Sequence, residues 1–88
     1  MTPPVSEPAA LRVDVWLWAA RFFKTRSLAR QAIEAGRVEV NEAGCKPAKS
    51  LHVGDRLRLG RAEERLEVCV LALSARRGPA SEAQQLYR

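Results

Sequence analysis

With two cysteines, one histidine and one methionine, this chain is short of the residues that build metal sites and nucleophilic centres. Cys45 and Cys69 lie far apart, form no Cys-x-x-Cys pair, and have only His52 as a further soft ligand. A structural zinc site is therefore not expected. A disulfide between them is not expected in the cytosol, and Cys69, set in an apolar run, reads as a small packing residue. Long hydrophobic runs are also absent. The longest, near Val15–Ala20 and Val68–Leu73, fall far below the ~20 residues of a membrane span. The start, Met1-Thr2-Pro3-Pro4-Val5-Ser6-Glu7-Pro8, has neither the basic residues nor the apolar stretch of a secretory signal. The expectation is a cytoplasmic protein with no membrane partner. No phosphate loop, nucleophile elbow or metal triad occurs. Asp14 and Asp55 read as a helix cap and a turn residue, and His52 as a surface or strand-edge histidine. No enzyme and no cofactor are expected.

The chain does have charge. Fifteen Lys and Arg face ten Asp and Glu, a net +5 and a pI near 10.0, in 88 residues that are 47% hydrophobic. A chain of this length forms one domain and buries only about 60–65% of its unfolded surface. The positive balance attracts polyanions. Twelve of the fifteen cations are Arg, whose planar fork grips phosphate bidentately and stacks on bases. The same arginines could equally form a solvated face, so charge alone leaves both readings open.

Proline marks the first ten residues as a flexible arm, with order beginning near Leu11. Asp14 is the expected N-cap of a helix running through Phe23. Apolar residues occupy two stripes of it, so it should be gripped on more than one side. Trp16 and Trp18 cannot both point inward, so one of them should be partly exposed. Thr25 is the expected cap of a second helix, Arg26 to Ala35, with Leu28, Ala29, Ala32 and Ile33 as its apolar stripe and Gly36 just past its end. The period then drops to two in Arg37–Val40, in Arg56–Leu59, and from Arg65 to Leu73. Turns are expected at 41–44, 53–55 and 60–64. A short Ser81-capped stretch closes the chain. The fold class is α+β: two packed N-terminal helices on a small antiparallel sheet, with a short polar tail. The division expected is an arm over 1–10, a domain over 11–75 and a C-terminal extension over 76–88.

On this frame the cations gather. Arg12 precedes the first helix, Arg21 ends its exposed side, and Lys24, Thr25 and Arg26 form the corner between helices. Arg26 and Arg30, at i and i+4, rise on one face of the second helix. Lys46 and Lys49 flank Pro47 in a later loop. The second helix's N-terminal N–H groups add a phosphate seat at the corner.

The string Arg12-Val13-Asp14, then Trp16-Leu17-Trp18-Ala19-Ala20-Arg21-Phe22-Phe23-Lys24-Thr25-Arg26, then Ala29-Arg30 and Ile33, resembles the S4-type RNA-binding domain (the alpha-L motif). Gly36-Arg37-Val38, Val40-Asn41, Lys46-Pro47-Ala48-Lys49 and Gly54-Asp55 continue that pattern in order. The Trp-Leu-Trp-Ala-Ala-Arg run and the closing Arg76-Arg77-Gly78-Pro79-Ala80-Ser81-Glu82-Ala83 are similar to the ribosome-associated heat shock protein 15 family. The resemblance implies a stand-alone RNA-binding domain with two helices on a small sheet. Its implied target is ribosomal RNA on the free large ribosomal subunit, stalled with a nascent chain on tRNA, in recycling after heat stress. By matching position, Arg12, Arg21, Lys24, Thr25, Arg26, Arg30, Lys46 and Lys49 would form the RNA-binding set. Peptidyl-tRNA is a further candidate partner, DNA a non-specific one, and a monomer is expected.

Three departures stand out. Val15 replaces a usual Lys, and Glu42 replaces the Gly expected after Asn41, so that turn should be shaped differently, using Gly44. The long charged C-terminal extension of better-known members is not found before the chain ends at Arg88. Two other readings stay open: a stand-alone factor of ribosome-associated quality control on obstructed large subunits, and a basic module for an acidic protein partner.

Overall fold

The computed structural model describes residues 10–61 and 63–88; of the expected arm over 1–10, all but Ala10 lies outside the described residues. Its elements are β1 (Leu11–Arg12), α1 (Val13–Ala19), α2 (Arg26–Glu34), β2 (Val38–Val40), β3 (Ala43–Gly44), β4 (Ser50–Leu51), β5 (Arg56–Arg61), β6 (Glu64–Cys69) and α3 (Ala80–Ala83). The expected α+β arrangement is present. β3, β2, β5 and β6 lie in that order in one antiparallel sheet, and β1 and β4 form a separate pair.

The first helix differs at both ends from what its sequence suggests. Asp14 is not its N-cap. The cap position belongs to Arg12, which makes no side-chain capping bond. Instead the Val13 and Asp14 N–H groups donate to the carbonyls of Lys49 and Pro47, at 3.0 and 3.3 Å. A distant loop thus satisfies donors that a cap side chain would otherwise take. Asp14, only 3% exposed, accepts from the Val15 N–H at 2.8 Å and holds Arg12. At the other end α1 stops at Ala19, well short of Phe23. The Arg21 N–H donates to Trp18 O (3.1 Å) and the Phe22 N–H to Leu17 O (3.0 Å), with Arg21 at φ 67°. That is a Schellman ending, whose left-handed residue is usually glycine.

The second helix follows its sequence signals closely. Thr25 Oγ1 accepts from the Leu28 N–H at 3.1 Å, and Gly36 at φ 77° closes the helix with the same pair of Schellman bonds. Ala29, Ala32 and Ile33 are buried, but Leu28 is 44% exposed. At 3.6 residues per turn, Leu28 sits about a quarter turn from the centre of that stripe.

In the sheet, Val38, Val40, Leu57, Leu59 and Val68 turn one face toward the helices and are buried. Two turns are tighter than expected. Val40 pairs with Ala43, leaving a two-residue loop in which Asn41 and Glu42 both take positive φ, 52° and 70°. Glu42 thus adopts the hairpin geometry that Asn-Gly would favour, and Gly44 lies in β3. Gly60 is a strand residue opposite Arg65, with Arg61 opposite Glu64. Asp55 does serve its turn, accepting from the His52 N–H (2.8 Å) and from Asn41 Nδ2 (3.1 Å).

α1 is buried nearly all round, as its two apolar stripes require. Trp16 is buried and Trp18 half-buried. Trp16 Nε1 donates to Ala72 O at 2.9 Å, and the Phe22 ring lies 4.6 Å from that of Tyr87. The chain after β6 therefore meets α1 at Ala72 and the turn that follows α1 at Tyr87. Val70 bridges to Tyr87, and Cys69 exchanges both backbone hydrogen bonds with Arg88. Pro79, not Ser81, occupies the cap position of α3, its carbonyl accepting from Glu82 and Ala83.

Candidate nucleic-acid interface

Charge is divided unevenly between the two layers. The helical layer, with its connection and the loop after β3, carries Arg12, Arg21, Lys24, Arg26, Arg30, Lys46 and Lys49 against the carboxylates Asp14 and Glu34. Asp14 is buried and its carboxylate is already engaged by Arg12, at 3.0 Å. The sheet and its turns are near neutral and slightly acidic: Arg37, Arg56, Arg58, Arg61 and Arg65 are matched by Glu39, Glu42, Asp55, Glu63, Glu64 and Glu67 along the chain. Register sets Glu39, Arg58 and Glu67 side by side, and Arg58 reaches the two carboxylates at 3.7 and 4.0 Å. An anion approaching the sheet meets charges of both signs; one approaching the helices meets mainly cations.

Within the helical layer the predicted residues fall into three places. Lys24, Thr25 and Arg26 sit exposed at the start of α2, with Arg30 one turn further on the same face. Arg12, Lys46 and Lys49 gather at the start of α1, because backbone bonds from Val13 and Asp14 dock the 47–49 loop there. Lys46 and Lys49 edge an open groove that also borders Ile33 and Glu34 of α2, so this second group reaches the far end of the same helix. The cations thus extend from one end of α2 to the other. Arg12 is not wholly available: Nε and Nη2 both bind Asp14, leaving its side chain about half exposed. Arg21 stands apart. Its Nε donates to Gly78 O at 2.9 Å, which draws it toward the C-terminal segment. Val15, where the resemblance expects a Lys, is buried and faces packing.

One residue with a clear structural role was not singled out from sequence. Arg77 Nη1 donates to Trp18 O (2.8 Å) and Phe23 O (2.9 Å), and its guanidinium lies 5.9 Å from the Trp18 ring centroid. Nothing in the local pattern separates it from neighbouring Arg76. Burial raises the Cys45 thiol above its ordinary pKa, with Lys49 partly opposing the shift. Both cysteines are free, and among the described residues no His, Cys, Asp and Glu cluster could hold a metal ion. Among the described residues no helix is long and apolar enough to cross a membrane.

The S4 domain profile matches residues 11–57, which span β1 to the start of β5. A heat shock protein 15 homolog of Haemophilus influenzae is 47% identical over 78 residues, covering 89% of this chain and 60% of the relative. The structure of heat shock protein 15 from Vibrio cholerae, described as trimeric, superposes with a TM-score of 0.87 at 46% identity, over 90% of this chain and 80% of that one. An RQC P-site tRNA stabilizing factor of Listeria innocua is 36% identical over a shorter stretch of 47 residues, covering 53% of this chain and 51% of the relative. The chain spans 58–66% of the length of the curated heat shock protein 15 relatives it matches. In profile, in sequence and in fold, the chain belongs to the S4 domain family and, within it, to the heat shock protein 15 family.

Proposed function

We propose that this chain binds structured ribosomal RNA on the free large ribosomal subunit, including subunits stalled with a nascent chain on tRNA, and acts in their recycling after heat stress. The observation that carries this reading is the division of charge, with a basic helical layer on a near-neutral, slightly acidic sheet. Lys24, Thr25, Arg26 and Arg30 on one side and Arg12, Lys46 and Lys49 on the other would meet successive phosphates, with Arg21 at the margin. Such contacts position a protein on RNA without reading sequence, so selectivity would come from the shape of the folded RNA. A rigid pair of helices and a docked loop hold these cations at fixed spacing, which suits an irregular or double-stranded target. Peptidyl-tRNA is a further partner in this reading, DNA would bind only non-specifically, and the protein would act as a cytoplasmic monomer.

Ribosome-associated quality control is the second reading, favoured by the likeness to the Listeria factor; the longer and stronger match to heat shock protein 15 homologs ranks it behind the first. Sucrose-gradient sedimentation of tagged protein with ribosomes tests both. Enrichment on free large subunits, abolished by nuclease, is the expected result. Equal occupancy of small subunits, large subunits and intact ribosomes would reduce the function to general RNA binding.

A further inference from the structure

We propose that Arg77 is a positioning residue for the corner between α1 and α2, holding Lys24, Thr25 and Arg26 in register for RNA from the C-terminal segment. This rests on the RNA-binding reading above. Residues 20–25 connect the two helices without regular structure. The bonds that end α1 involve Ala20, Arg21 and Phe22, and they leave the carbonyl of Phe23, immediately before Lys24, outside the Schellman motif. Arg77 supplies the link. One of its nitrogens accepts no bond but donates two, to Trp18 O inside α1 and to Phe23 O beyond its end, so a single side chain spans the break. Its cation also lies beside the Trp18 ring, where an attraction to the ring face adds to both bonds.

The grip is reciprocal. Arg77 of the C-terminal segment holds backbone of the corner, and Arg21 of the corner holds backbone of the segment through Gly78 O. The segment is itself anchored. Ser74 Oγ accepts from the Arg76 N–H at 3.1 Å and so shapes the approach to Arg77. Further on, Leu86 O accepts from the Leu71 N–H, Cys69 and Arg88 exchange bonds, and Tyr87 packs on Phe22. The corner thus rests on a strap tied to the end of β6. Phosphate contacts require cations at defined spacing, and loosening one end of the set lowers affinity without removing any charge from it.

The test uses the full chain and purified large-subunit ribosomal RNA, well below the melting temperature of each variant. In Arg77→Ala, amide hydrogen exchange should quicken at residues 23–26 while β5 and β6 keep their protection. RNA affinity should fall about tenfold, the scale of one or two charge-assisted hydrogen bonds. Double-mutant cycles then separate positioning from contact. Lys24→Ala should cost much less in the Arg77→Ala background than alone, whereas Lys49→Ala, tied to the other end of the layer, should cost the same in both. Additivity with both lysines would make Arg77 a direct phosphate contact and overturn the proposal. Arg77→Lys keeps the charge without the planar fork and serves where the alanine variant folds poorly. It should show the same coupling to Lys24, and wild-type affinity in it would also overturn the proposal. The wild-type titration separates the two readings. If wild type binds and Arg77→Ala binds equally well, only the positioning role falls; if wild type does not bind, the RNA reading falls and takes this role with it.

Discussion

Arg21 and Gly36 occupy the same position at the ends of successive helices. Each is the left-handed residue of a Schellman ending, at φ 67° and 77° respectively. Glycine takes that conformation freely, whereas an L side chain there costs about 1–2 kcal/mol. Strain of this kind persists when the surroundings over-determine it, and it is often found at functional sites. Arg21→Gly should release the strain while losing the bond to Gly78 O, so stability should stay within about 1 kcal/mol of wild type. RNA affinity should drop, because a cation leaves the helical layer. Thermal melts beside RNA titrations check both halves, and undiminished affinity would remove Arg21 from the interface.

Glu42 provides the control for that argument. It holds φ 70° in the β2–β3 turn, on the chain but outside the proposed set of RNA contacts. Glu42→Gly should stabilise the domain by about 1 kcal/mol, since the turn geometry is already the one glycine prefers. A loss of stability on denaturant unfolding would show that the Glu42 side chain contributes more than its backbone strain costs.

Fold and interface should separate by mutation. Leu17 and Ile33 are buried beneath the helical layer, so truncating either to Ala should cost about 2–5 kcal/mol through loss of burial and the cavity left behind. Arg26 and Arg30 are exposed, and their Ala variants should melt within a few degrees of wild type while binding RNA less well. Arginine variants that unfold yet bind normally when folded would reverse this assignment of faces.

These residues also mark what the sequence made legible. α2 could be read because each of its signals is local: a Thr25 cap, an apolar stripe and Gly36 at the end. The sheet could be read from strict alternation in Val38–Val40 and Arg56–Leu59. The ends of α1 could not, since its start is satisfied by carbonyls of Pro47 and Lys49, and its stop by an arginine in a glycine conformation. The stop is a local turn at a residue type that does not announce it, tied to Gly78 through the Arg21 side chain. The start depends on contacts distant in the chain. Seating of Tyr87 on Phe22 is equally non-local, which is why residues 76–88 read as a polar tail. The placing of Lys24 just before α2, and of Arg26 and Arg30 along one face of it, followed from spacing alone. The engagement of Arg12 by Asp14, and of Arg21 and Arg77 by backbone carbonyls, did not.

Cys45 offers a chemical probe of the groove edged by Lys46 and Lys49. Burial disfavours its thiolate and raises its pKa, and the nearby Lys49 ammonium acts in the opposite sense. In a Cys69→Ser background, the pH midpoint for thiol reaction at Cys45 should lie above that of free cysteine, and Lys49→Ala should raise it further. The sign for stability follows. Because the folded pKa exceeds the unfolded one, the protonated thiol's contribution is present below the unfolded value and is lost as pH rises through the folded value. A midpoint at or below that of free cysteine would mean that Cys45 is not shielded as described.

Salt dependence gives the most direct reading of how the interface works. Each phosphate neutralised by a Lys or Arg releases condensed counterions, so affinity falls with salt in proportion to the number of such contacts. Seven cations lie in the helical layer, but they do not contribute equally. Arg12 shares its guanidinium with Asp14, and Arg21 is turned toward Gly78. That leaves Lys24, Arg26, Arg30, Lys46 and Lys49 as the set expected to contact phosphate. For about five contacts the log–log slope of affinity against salt should be roughly −3.5 to −4.5, the limits for single strands and duplex. Removing Arg30 should make it shallower by about 1 and weaken binding similarly across different RNAs, since a phosphate contact carries no sequence information. A wild-type slope shallower than about −1 would contradict electrostatic binding altogether. A slope unchanged by Arg30→Ala would move the interface off α2, and the slightly acidic sheet could not replace it, because Glu39 and Glu67 already flank Arg58.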